Sequence, residues 1–335
     1  MSVTKAVHVD TSSERAAGGT EPPSWVHVGV SDGLRDDAVP IGYDVVRESH
    51  AVRSTGRFVV GGGRFRQRVI LLRSALHGEL LAAGAGDPEA LKRGPLFAGW
   101  IDGGRTRHAL VRTKTGDAWV VKAYHRGGAL RGWNSVRYWG CERFLHELRV
   151  AAQAGRCGVA TAEVLALVLE PAGCGSSRAW MITRYLPGVR PLHEYFGHPE
   201  GPQVFRAAGR AVARMHGAGI DHLDLHMGNI VCAAGPEGAT AYVLDWDRAR
   251  CRAEGRWSPY RNLARLWRSV AKGRKRGLYG SAQVENIDAD FSALFAAFVR
   301  GYFSGRPAAL RAAREYFRRR AVWFGLRTLF WRPQS

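Results

Sequence analysis

The spacing of apolar positions divides the chain into segments with different periods. Residues 1–40 show no periodicity and are rich in Ser, Thr, Gly, Asp and Pro, a composition that predicts a disordered tail. Residues 41–94 are more patterned: Phe58–Val60 predicts a strand ending in a glycine turn, Gln67–Ala82 predicts a helix, and Gly84–Pro88 predicts a linker. We therefore treat 41–94 as an N-terminal extension, whose pattern indicates no role.

The segment 95–186 is rich in predicted strands, and the segment 187–335 is rich in predicted helices. Strands joined by tight turns are predicted within Phe97–Tyr124, and at Val164–Leu169 and Ala179–Tyr185. Helical spacing occurs at Trp139–Gln153, Pro202–Ala218, Asn262–Val270, Phe291–Phe303 and Ala308–Trp331. A run of strands followed by a run of helices indicates the α+β class.

The polar residues of greatest interest lie between His216 and Arg250. Asp224 is followed five positions later by Asn229, and Asp245 comes sixteen positions after Asn229. The residues between Asn229 and Asp245 form two apolar runs separated by a Gly/Pro turn, which predicts a β-hairpin. Such a hairpin would bring all three polar side chains to one end.

Phosphoryl transfer from ATP requires a set of this kind. One carboxylate must accept or orient the attacking hydroxyl, and an amide oxygen with a second carboxylate must hold Mg²⁺ against the phosphates. His222, Asp224 and Asn229 fit the kinase pattern H-x-D-L-x-x-x-N, and Asp245 fits the later strand-borne aspartate. Asp247 is a rival metal ligand. The alternative interpretation is that Asp224 and Asn229 cap a turn while Asp245 ends a strand.

Lys122 stands inside the apolar strand AWVVKAY, where an unpaired lysine is costly. The helix at Trp139–Gln153 offers Glu147 as its partner, and a Lys–Glu ion pair of this kind holds the α- and β-phosphates in kinases. Glu142 is the competing partner. The alternative is that Lys122 belongs to an edge strand and faces solvent.

Two further stretches are candidate nucleotide contacts. The turn at Gly103 and Gly104 lies between strands and could donate backbone N–H groups to phosphates. The strand ending at Tyr185 is broken by Leu186-Pro187-Gly188, the position at which the hinge of a bilobal kinase would lie. Backbone groups from Arg184 to Leu186 would then contact adenine.

The amino-acid composition limits the classes of molecule that the protein is expected to bind. The chain of 335 residues is 46% hydrophobic, with a net charge of +20 and a pI near 10.6, which favours anionic partners. The five scattered cysteines predict reduced thiols, and no signal peptide or membrane span is predicted. Arginines interleaved with aromatic residues over Arg314–Trp331 predict contact with an anionic membrane surface. The alternative is that this helix packs on the preceding helices.

The chain resembles the lipopolysaccharide-core kinases, and most closely the 3-deoxy-D-manno-octulosonic acid (Kdo) kinases. The resemblance covers roughly residues 95–275. It is carried by VVKAYHRGGALRG (120–132), the Glu147 helix, MITRYLPGVRPL (181–192), HGAGIDHLDLHMGNI (216–230), YVLDWDRAR (242–250) and NLARLWRSVAK (262–272). It implies a bilobal protein-kinase-like fold with a β-rich N-lobe at 95–186 and a helical C-lobe at 187–335. His226 departs from the asparagine expected in many members.

The resemblance also implies the activity and the site. ATP and Mg²⁺ would be used to phosphorylate a Kdo hydroxyl on a lipid A precursor, at the cytoplasmic face of a Gram-negative inner membrane, and no nucleic acid partner is expected. Asp224 would be the catalytic base, Asn229 and Asp245 would bind Mg²⁺, Lys122 would hold phosphates, and Glu147 would orient Lys122. Two alternatives stay open: a kinase of another hydroxyl, such as a heptose or an aminoglycoside, and a non-catalytic lipid- or nucleic-acid-binding protein.

Overall fold

A computed structural model describes most of the chain after residue 39. The described residues are 40–48, 58–60, 63–65, 68–102, 106–125, 137–172, 176–252, 257–275, 287–316 and 318. The predicted tail at 1–40 therefore lies almost wholly outside the described residues, as do Gly103 and Gly104.

The first half of the described chain forms an antiparallel sheet. Its elements are β1 (Tyr43–Glu48), β2 (Phe58–Val60), β3 (Gly63–Phe65), β4 (Arg68–Arg73), α1 (His77–Ala82), α2 (Pro88–Leu91), β5 (Phe97–Asp102), β6 (Arg107–Arg112), β7 (Ala118–Ala123), β8 (Tyr138–Trp139), α3 (Glu142–Arg156), β9 (Val164–Pro171) and β10 (Ser176–Arg184). The strand order is β1-β4-β9-β10-β7-β6-β5, β8 pairs with β10, and β2 with β3 form a separate hairpin. Strands β1 and β4 thus extend the sheet beyond β9.

Two predictions for the N-terminal extension are wrong. The helix predicted over Gln67–Ala82 begins instead as the strand β4, and only its last third is α-helical. Val69 to Leu72 are buried on both faces of the sheet, and a short run buried on both sides has no period that separates a strand from a helix. The linker predicted at Gly84–Pro88 is a compact turn with Ala85 fully buried.

The two faces of this sheet are covered by different elements. The inner face packs on α3 through residues such as Phe144 and Leu148. The outer face is covered by residues 74–96, which we call the outer cover. Its apolar side chains Leu80, Ala85 and Leu91 pack against Trp119 and Trp180 of the sheet. The indole N–H of Trp180 also donates a hydrogen bond to Glu89 in the cover, at 2.9 Å.

The second half of the described chain is mainly helical. Its elements are β11 (Arg190–Pro191), α4 (Gly201–Gly217), β12 (Ile220–Asp221), β13 (Ile230–Gly235), β14 (Gly238–Val243), β15 (Arg250–Cys251), α5 (Tyr260–Lys275), α6 (Ile287–Tyr302) and a further helix, α7, at 307–316. Strands β11, β13 and β14 form one small sheet, and β12 pairs with β15. The predicted helix Ala308–Trp331 is described only to 316 and at Arg318.

Helices α4 and α6 cross in close contact at two glycines. A Cβ atom on Gly209 would overlap with the carbonyl oxygen of Phe298, and one on Gly301 would overlap with that of Arg206. Each glycine therefore sits where the backbone of the other helix leaves no room for a side chain. This contact fixes α6 against the helix that leads into the Asp224 stretch.

The expected α+β class is confirmed, with a sheet-rich N-terminal part followed by helices in the arrangement of a bilobal kinase. Among the described helices, none combines the length and the apolar character needed to cross a bilayer.

Candidate active site

The hairpin β13–β14 brings Asn229 and Asp245 to the same end. Ile230 pairs with Val243 in the register of the two strands, and the Leu244 N–H continues this ladder by donating to the Asn229 carbonyl at 2.9 Å. Asp245 follows Leu244 directly. The turn at Pro236 therefore brings Asn229 and Asp245, which are sixteen positions apart in sequence, close together in space. The predicted hairpin is confirmed.

The loop that carries Asp224 is tied to this hairpin through His222. The His222 ring is fully buried, and its Nε2 lies 2.9 Å from the Leu244 carbonyl oxygen. Burial lowers the pKa of His222, which favours a neutral ring whose Nε2–H donates to that carbonyl. Leu223 then adopts a left-handed conformation with φ 54°, which turns the chain so that the Asp224 N–H contacts the His222 carbonyl at 2.6 Å.

Asn229 is held from two directions. Its Nδ2 donates to the backbone carbonyl of Asp224 at 3.1 Å, which leaves the amide oxygen available to a ligand. The preceding turn is capped by His226, whose Nδ1 accepts from the Gly228 N–H at 3.1 Å. The histidine at 226 thus performs the capping that an asparagine side chain could also perform.

Lys122 on β7 and Glu147 on α3 form an ion pair, with Nζ 3.1 Å from Oε1. The carboxylate is almost fully buried, and its second oxygen accepts a hydrogen bond of 2.5 Å from the Tyr124 hydroxyl. Burial alone would lower the pKa of Lys122, but the carboxylates of Glu147 and Asp245 outweigh it and raise that pKa. Lys122 is therefore a fixed cation beside Asp245. We call the space between Lys122, Asp224, Asn229 and Asp245 the active-site cleft. Glu142, the rival partner, pairs with Arg149 instead.

Asp245 is the most exposed acid of the set and is held in a strained conformation. Its φ is 64°, a left-handed value that costs on the order of 1 kcal/mol or more for a residue with a side chain. Its side chain is 47% exposed, and Oδ1 lies 3.9 Å from Lys122 Nζ. A strained residue whose carboxylate points toward the cleft is a candidate for function rather than for stability.

Asp247 lies two residues further on and has a different environment. Its side chain is only 14% exposed, and both carboxylate oxygens accept hydrogen bonds from the Arg143 guanidinium. That hydrogen bond raises the pKa of Arg143 above its ordinary value. Because its oxygens are occupied, Asp247 is a weaker candidate for metal binding than Asp245.

The donor set at the end of the hairpin fits magnesium. Mg²⁺ prefers oxygen ligands and is usually held by one or two carboxylates together with substrate phosphates and water, and the amide oxygen of Asn229 and the carboxylate of Asp245 are such ligands. Within the described residues, no three His, Cys, Asp or Glu side chains form a metal cage.

Asp224 faces the cleft beside a cation. Its Oδ1 lies 3.5 Å from Nη1 of Arg265 on α5, and both side chains are about 40% exposed (39% and 40%). A half-exposed carboxylate at this position can accept a hydrogen bond from a hydroxyl in the cleft. The neighbouring guanidinium helps to orient the carboxylate.

The predicted adenine contacts lie at the end of β10. The Arg184 and Tyr185 N–H groups donate to the carbonyls of Glu163 and Ala118, each at 2.8 Å, so these two donors are occupied. Leu186 follows them, and its N–H is the donor that this segment would offer to adenine. The Arg184 side chain pairs with Glu163 and Asp117, at 3.1 Å each.

Sequence reasoning missed several residues of this site. Tyr124 lies two positions after Lys122, and the period of two in a strand places both side chains on one face. The sequence therefore contains enough information to predict that Tyr124 lies beside Lys122. Arg143 and Arg265 belong to helices that are remote in sequence from their partners. Their separation from Asp247 and Asp224 along the chain does not predict the two ion pairs. His108 on β6 faces the cleft near Lys122, where burial lowers its pKa to about 4.

Comparison with known proteins agrees with this geometry. The model of the lipopolysaccharide kinase (Kdo/WaaP) family matches residues 96–298. The 3-deoxy-D-manno-octulosonic acid kinase of Xanthomonas axonopodis pv. citri is 33% identical over 192 residues, which span 55% of this chain and 73% of that protein. The corresponding kinase of Xanthomonas campestris pv. campestris strain B100 is 32% identical over 210 residues, which span 60% and 80%.

Solved structures show weaker similarity. A structure of WaaP in complex with acyl carrier protein is 19% identical with a TM-score of 0.44, covering 74% of this chain and 92% of WaaP. A complex of amicoumacin kinase hAmiN with AMP-PNP, Ca²⁺ and Ami is 14% identical with a TM-score of 0.44, covering 68% and 79%. The assignment therefore depends on the sequence comparisons and the site.

All five predicted residues of the phosphoryl-transfer set, Lys122, Glu147, Asp224, Asn229 and Asp245, lie within the matched segment. The two Xanthomonas relatives that match this chain are 3-deoxy-D-manno-octulosonic acid kinases. The chain belongs to the lipopolysaccharide kinase (Kdo/WaaP) family.

Proposed function

We propose that this protein transfers the γ-phosphoryl group of ATP to a hydroxyl of Kdo on a lipid A precursor. The observation that carries the proposal is the cleft in which the Lys122–Glu147 ion pair lies within 3.9 Å of Asp245, beside the loop of Asp224. Cation, metal-binding carboxylate and base are the parts that phosphoryl transfer requires.

Each residue has a proposed role in this reaction. Asp224 accepts the proton of the attacking sugar hydroxyl and orients its oxygen. Asn229 and Asp245 would hold Mg²⁺, which would supply positive charge against the nucleotide phosphates. Lys122, kept in place by Glu147, contacts the phosphates. The backbone of Leu186 contacts adenine, next to Arg184, whose own N–H is occupied by Glu163. Gly103 and Gly104, which the sequence predicts as a phosphate-binding turn, lie outside the described residues.

The choice of Kdo is supported by the relatives. Those that match this chain at 30–33% identity, including one from Xylella fastidiosa strain 9a5c, are Kdo kinases. A kinase of an aminoglycoside is not favoured, since the strongly basic chain does not suit a cationic acceptor. A kinase of heptose is less favoured than a Kdo kinase because the Xanthomonas and Xylella relatives act on Kdo. A protein that only binds lipid or nucleic acid has no need of a spaced acidic set.

The test is transfer to a panel of acceptors. Purified protein with ATP and Mg²⁺ should add the mass of one phosphate to a Kdo-bearing lipid A precursor, and not to a Kdo-free lipid A precursor or to an aminoglycoside. ATP consumption without phosphorylation of any acceptor would contradict the choice of sugar. Phosphorylation of the Kdo-free precursor would place the acceptor hydroxyl elsewhere.

We also propose that the protein associates reversibly with the cytoplasmic face of the inner membrane, where such a lipid acceptor is anchored. The net charge of +20 supports this, because each Lys or Arg near an anionic surface contributes about 1 kcal/mol. Arg318 is 80% exposed and pairs with Glu315, and Arg319 and Arg320 lie outside the described residues.

Liposome co-sedimentation tests the association. Charge reversal of Arg318, Arg319 and Arg320 to Glu should reduce binding to anionic vesicles while leaving the melting temperature unchanged, and added salt should weaken wild-type binding. Unchanged sedimentation of the variant at low salt would contradict the proposed role of this helix. A lowered melting temperature would instead indicate that the helix is structural.

A further inference from the structure

A basic cleft lies between α3 and the chain that follows the hairpin β13–β14. Its volume is about 670 Å³, within the range of small-molecule sites. Five arginines line it: Arg143 and Arg149 on α3, Arg248 and Arg250 after the hairpin, and Arg265 on α5. We call this space the arginine cleft. Such a concentration of guanidinium groups is costly unless anions share the space.

The carboxylates near the cleft neutralise only part of this charge. Arg143 is paired with Asp247, and Arg149 contacts Glu142 at 3.3 Å. These two pairs anchor the α3 side of the cleft. They also fix the guanidinium planes, which lowers the entropy lost when a further anion binds.

Arg248 and Arg250 have no such neutralisation. Both side chains are exposed, and among the described residues neither forms an ion pair with a carboxylate. The carbonyl of Ala249, between them, lies 2.5 Å from Nε2 of His146 on α3, so the backbone that carries them is fixed to the opposite wall. The two arginines are therefore positioned in the cleft with donors available.

The arginine cleft adjoins the proposed base. Leu223, the residue before Asp224, is part of its wall, and Arg265 links the cleft to Asp224 through the contact of 3.5 Å. A molecule seated in the cleft thus lies beside Asp224. Lys122, Glu147 and Asp245 are not among the residues that line this cleft.

We propose that the arginine cleft is the acceptor site, in which Arg248 and Arg250 bind a carboxylate or phosphate of the sugar acceptor. The inference rests on the proposed function and adds the residues that recognise the acceptor. Guanidinium groups match carboxylate and phosphate geometry with two parallel hydrogen bonds. The carboxylate of Kdo and the phosphates of the lipid A precursor are the two sources of such an anion.

The test compares two double variants by steady-state kinetics. In Arg248→Gln/Arg250→Gln the KM for the Kdo-bearing precursor should rise by roughly 10-fold to 100-fold, since hydrogen bonds to charged groups are among the strongest. The KM for ATP should stay unchanged. The matched control is Arg210→Gln/Arg214→Gln, which removes two exposed arginines from α4 and should leave both KM values unchanged.

Competition identifies the anion. Kdo monosaccharide should inhibit the wild-type reaction if the cleft binds the sugar carboxylate, and a Kdo-free lipid A precursor should inhibit it if the cleft binds a phosphate. Inhibition by the effective competitor should be lost in the Arg248/Arg250 variant. Calorimetry measures binding of the same competitor directly and does not require turnover. Binding should be lost in the Arg248/Arg250 variant.

Two results would overturn the inference. An unchanged acceptor KM in the folded variant would mean that the cleft does not bind the acceptor, while wild-type transfer would still support the proposed function. A raised KM for ATP alone would assign the arginines to the nucleotide. Absence of transfer by wild-type protein would instead contradict the proposed function, and the calorimetric arm would then still decide whether the cleft binds the anion.

Discussion

The active-site cleft and the outer cover lie on opposite sides of the same sheet and differ in the kind of residue that they contain. The cleft holds half-exposed charges and backbone strain, with Asp245 at φ 64° and Leu223 at φ 54°. The outer cover holds fully buried apolar side chains such as Leu80 and Ala85. Strain at the cleft is tolerated because packing elsewhere compensates for it. The two regions should therefore respond differently to mutation.

Removal of the Asp245 carboxylate should have the largest effect on activity. Asp245→Asn retains the shape and tolerates a positive φ, but it lacks the charge that is proposed to hold Mg²⁺. We expect the transfer rate to fall by about 10³-fold, as for loss of a main electrostatic group, and Mg²⁺-dependent ATP binding to weaken, while the melting temperature stays unchanged.

The matched variant is Asp247→Asn, which loses the pair with Arg143. It should reduce Mg²⁺-dependent ATP binding far less than Asp245→Asn. Calorimetric titration of ATP with and without Mg²⁺ measures both. A larger defect at Asp247 would transfer the metal assignment to that residue.

Mutation of the outer cover should produce the reverse pattern. Leu80→Ala leaves a cavity beneath the sheet and should lower the free energy of unfolding by about 2–5 kcal/mol, while kcat at temperatures below the transition stays near the wild-type value. Leu81→Ala is the control, because that side chain is 39% exposed and should change stability little. Chemical denaturation and kinetics on the same samples separate stability from activity. A fall in kcat with unchanged stability in Leu80→Ala would contradict the separation of the two regions.

The smallest expected effect is a pH dependence of stability. Burial lowers the pKa of His216 from 6.5 to about 3, and its Nδ1 contacts the Tyr302 hydroxyl at 2.6 Å. Because the folded pKa lies below the unfolded value, this stability is present above pH 6.5 and is lost as pH falls toward 3. Between pH 3 and 6.5, His216→Gln should reduce the slope of the unfolding free energy against pH by up to about 1.4 kcal/mol per pH unit.

The control for this effect is His198→Gln, at a side chain that is 31% exposed. Urea denaturation at several pH values between 3 and 7 gives the slopes. Equal slopes in wild type and His216→Gln would show that His216 does not contribute to acid unfolding.

Local patterns predicted the parts of the site that are close in sequence. The hairpin between Asn229 and Asp245, and the lysine strand with Glu147 on the next helix, follow from apolar periods and the cost of a buried charge. The structure contains both. Their catalytic roles remain predictions that the variants above test.

Contacts between remote segments could not be predicted in this way. The apolar pattern predicts a helix where the strand β4 forms, because the residues that bury both faces of β4 come from elsewhere in the chain. For the same reason, the pairing of Arg265 with Asp224 and the meeting of Arg143 with Arg248 in one cleft depend on how helices pack against the hairpin. No spacing in the sequence carries that information.

The most direct test of the account is the reaction of Asp224→Asn, followed by the mass of the Kdo-bearing acceptor and by calorimetric binding of ATP with Mg²⁺. Because the proposed role of Asp224 is to orient the hydroxyl and not to hold the nucleotide, we predict that phosphate transfer falls by about 10²-fold or more while nucleotide affinity is unchanged. Transfer at the wild-type rate, or loss of nucleotide binding with the same variant, would contradict the assignment of Asp224 as the base.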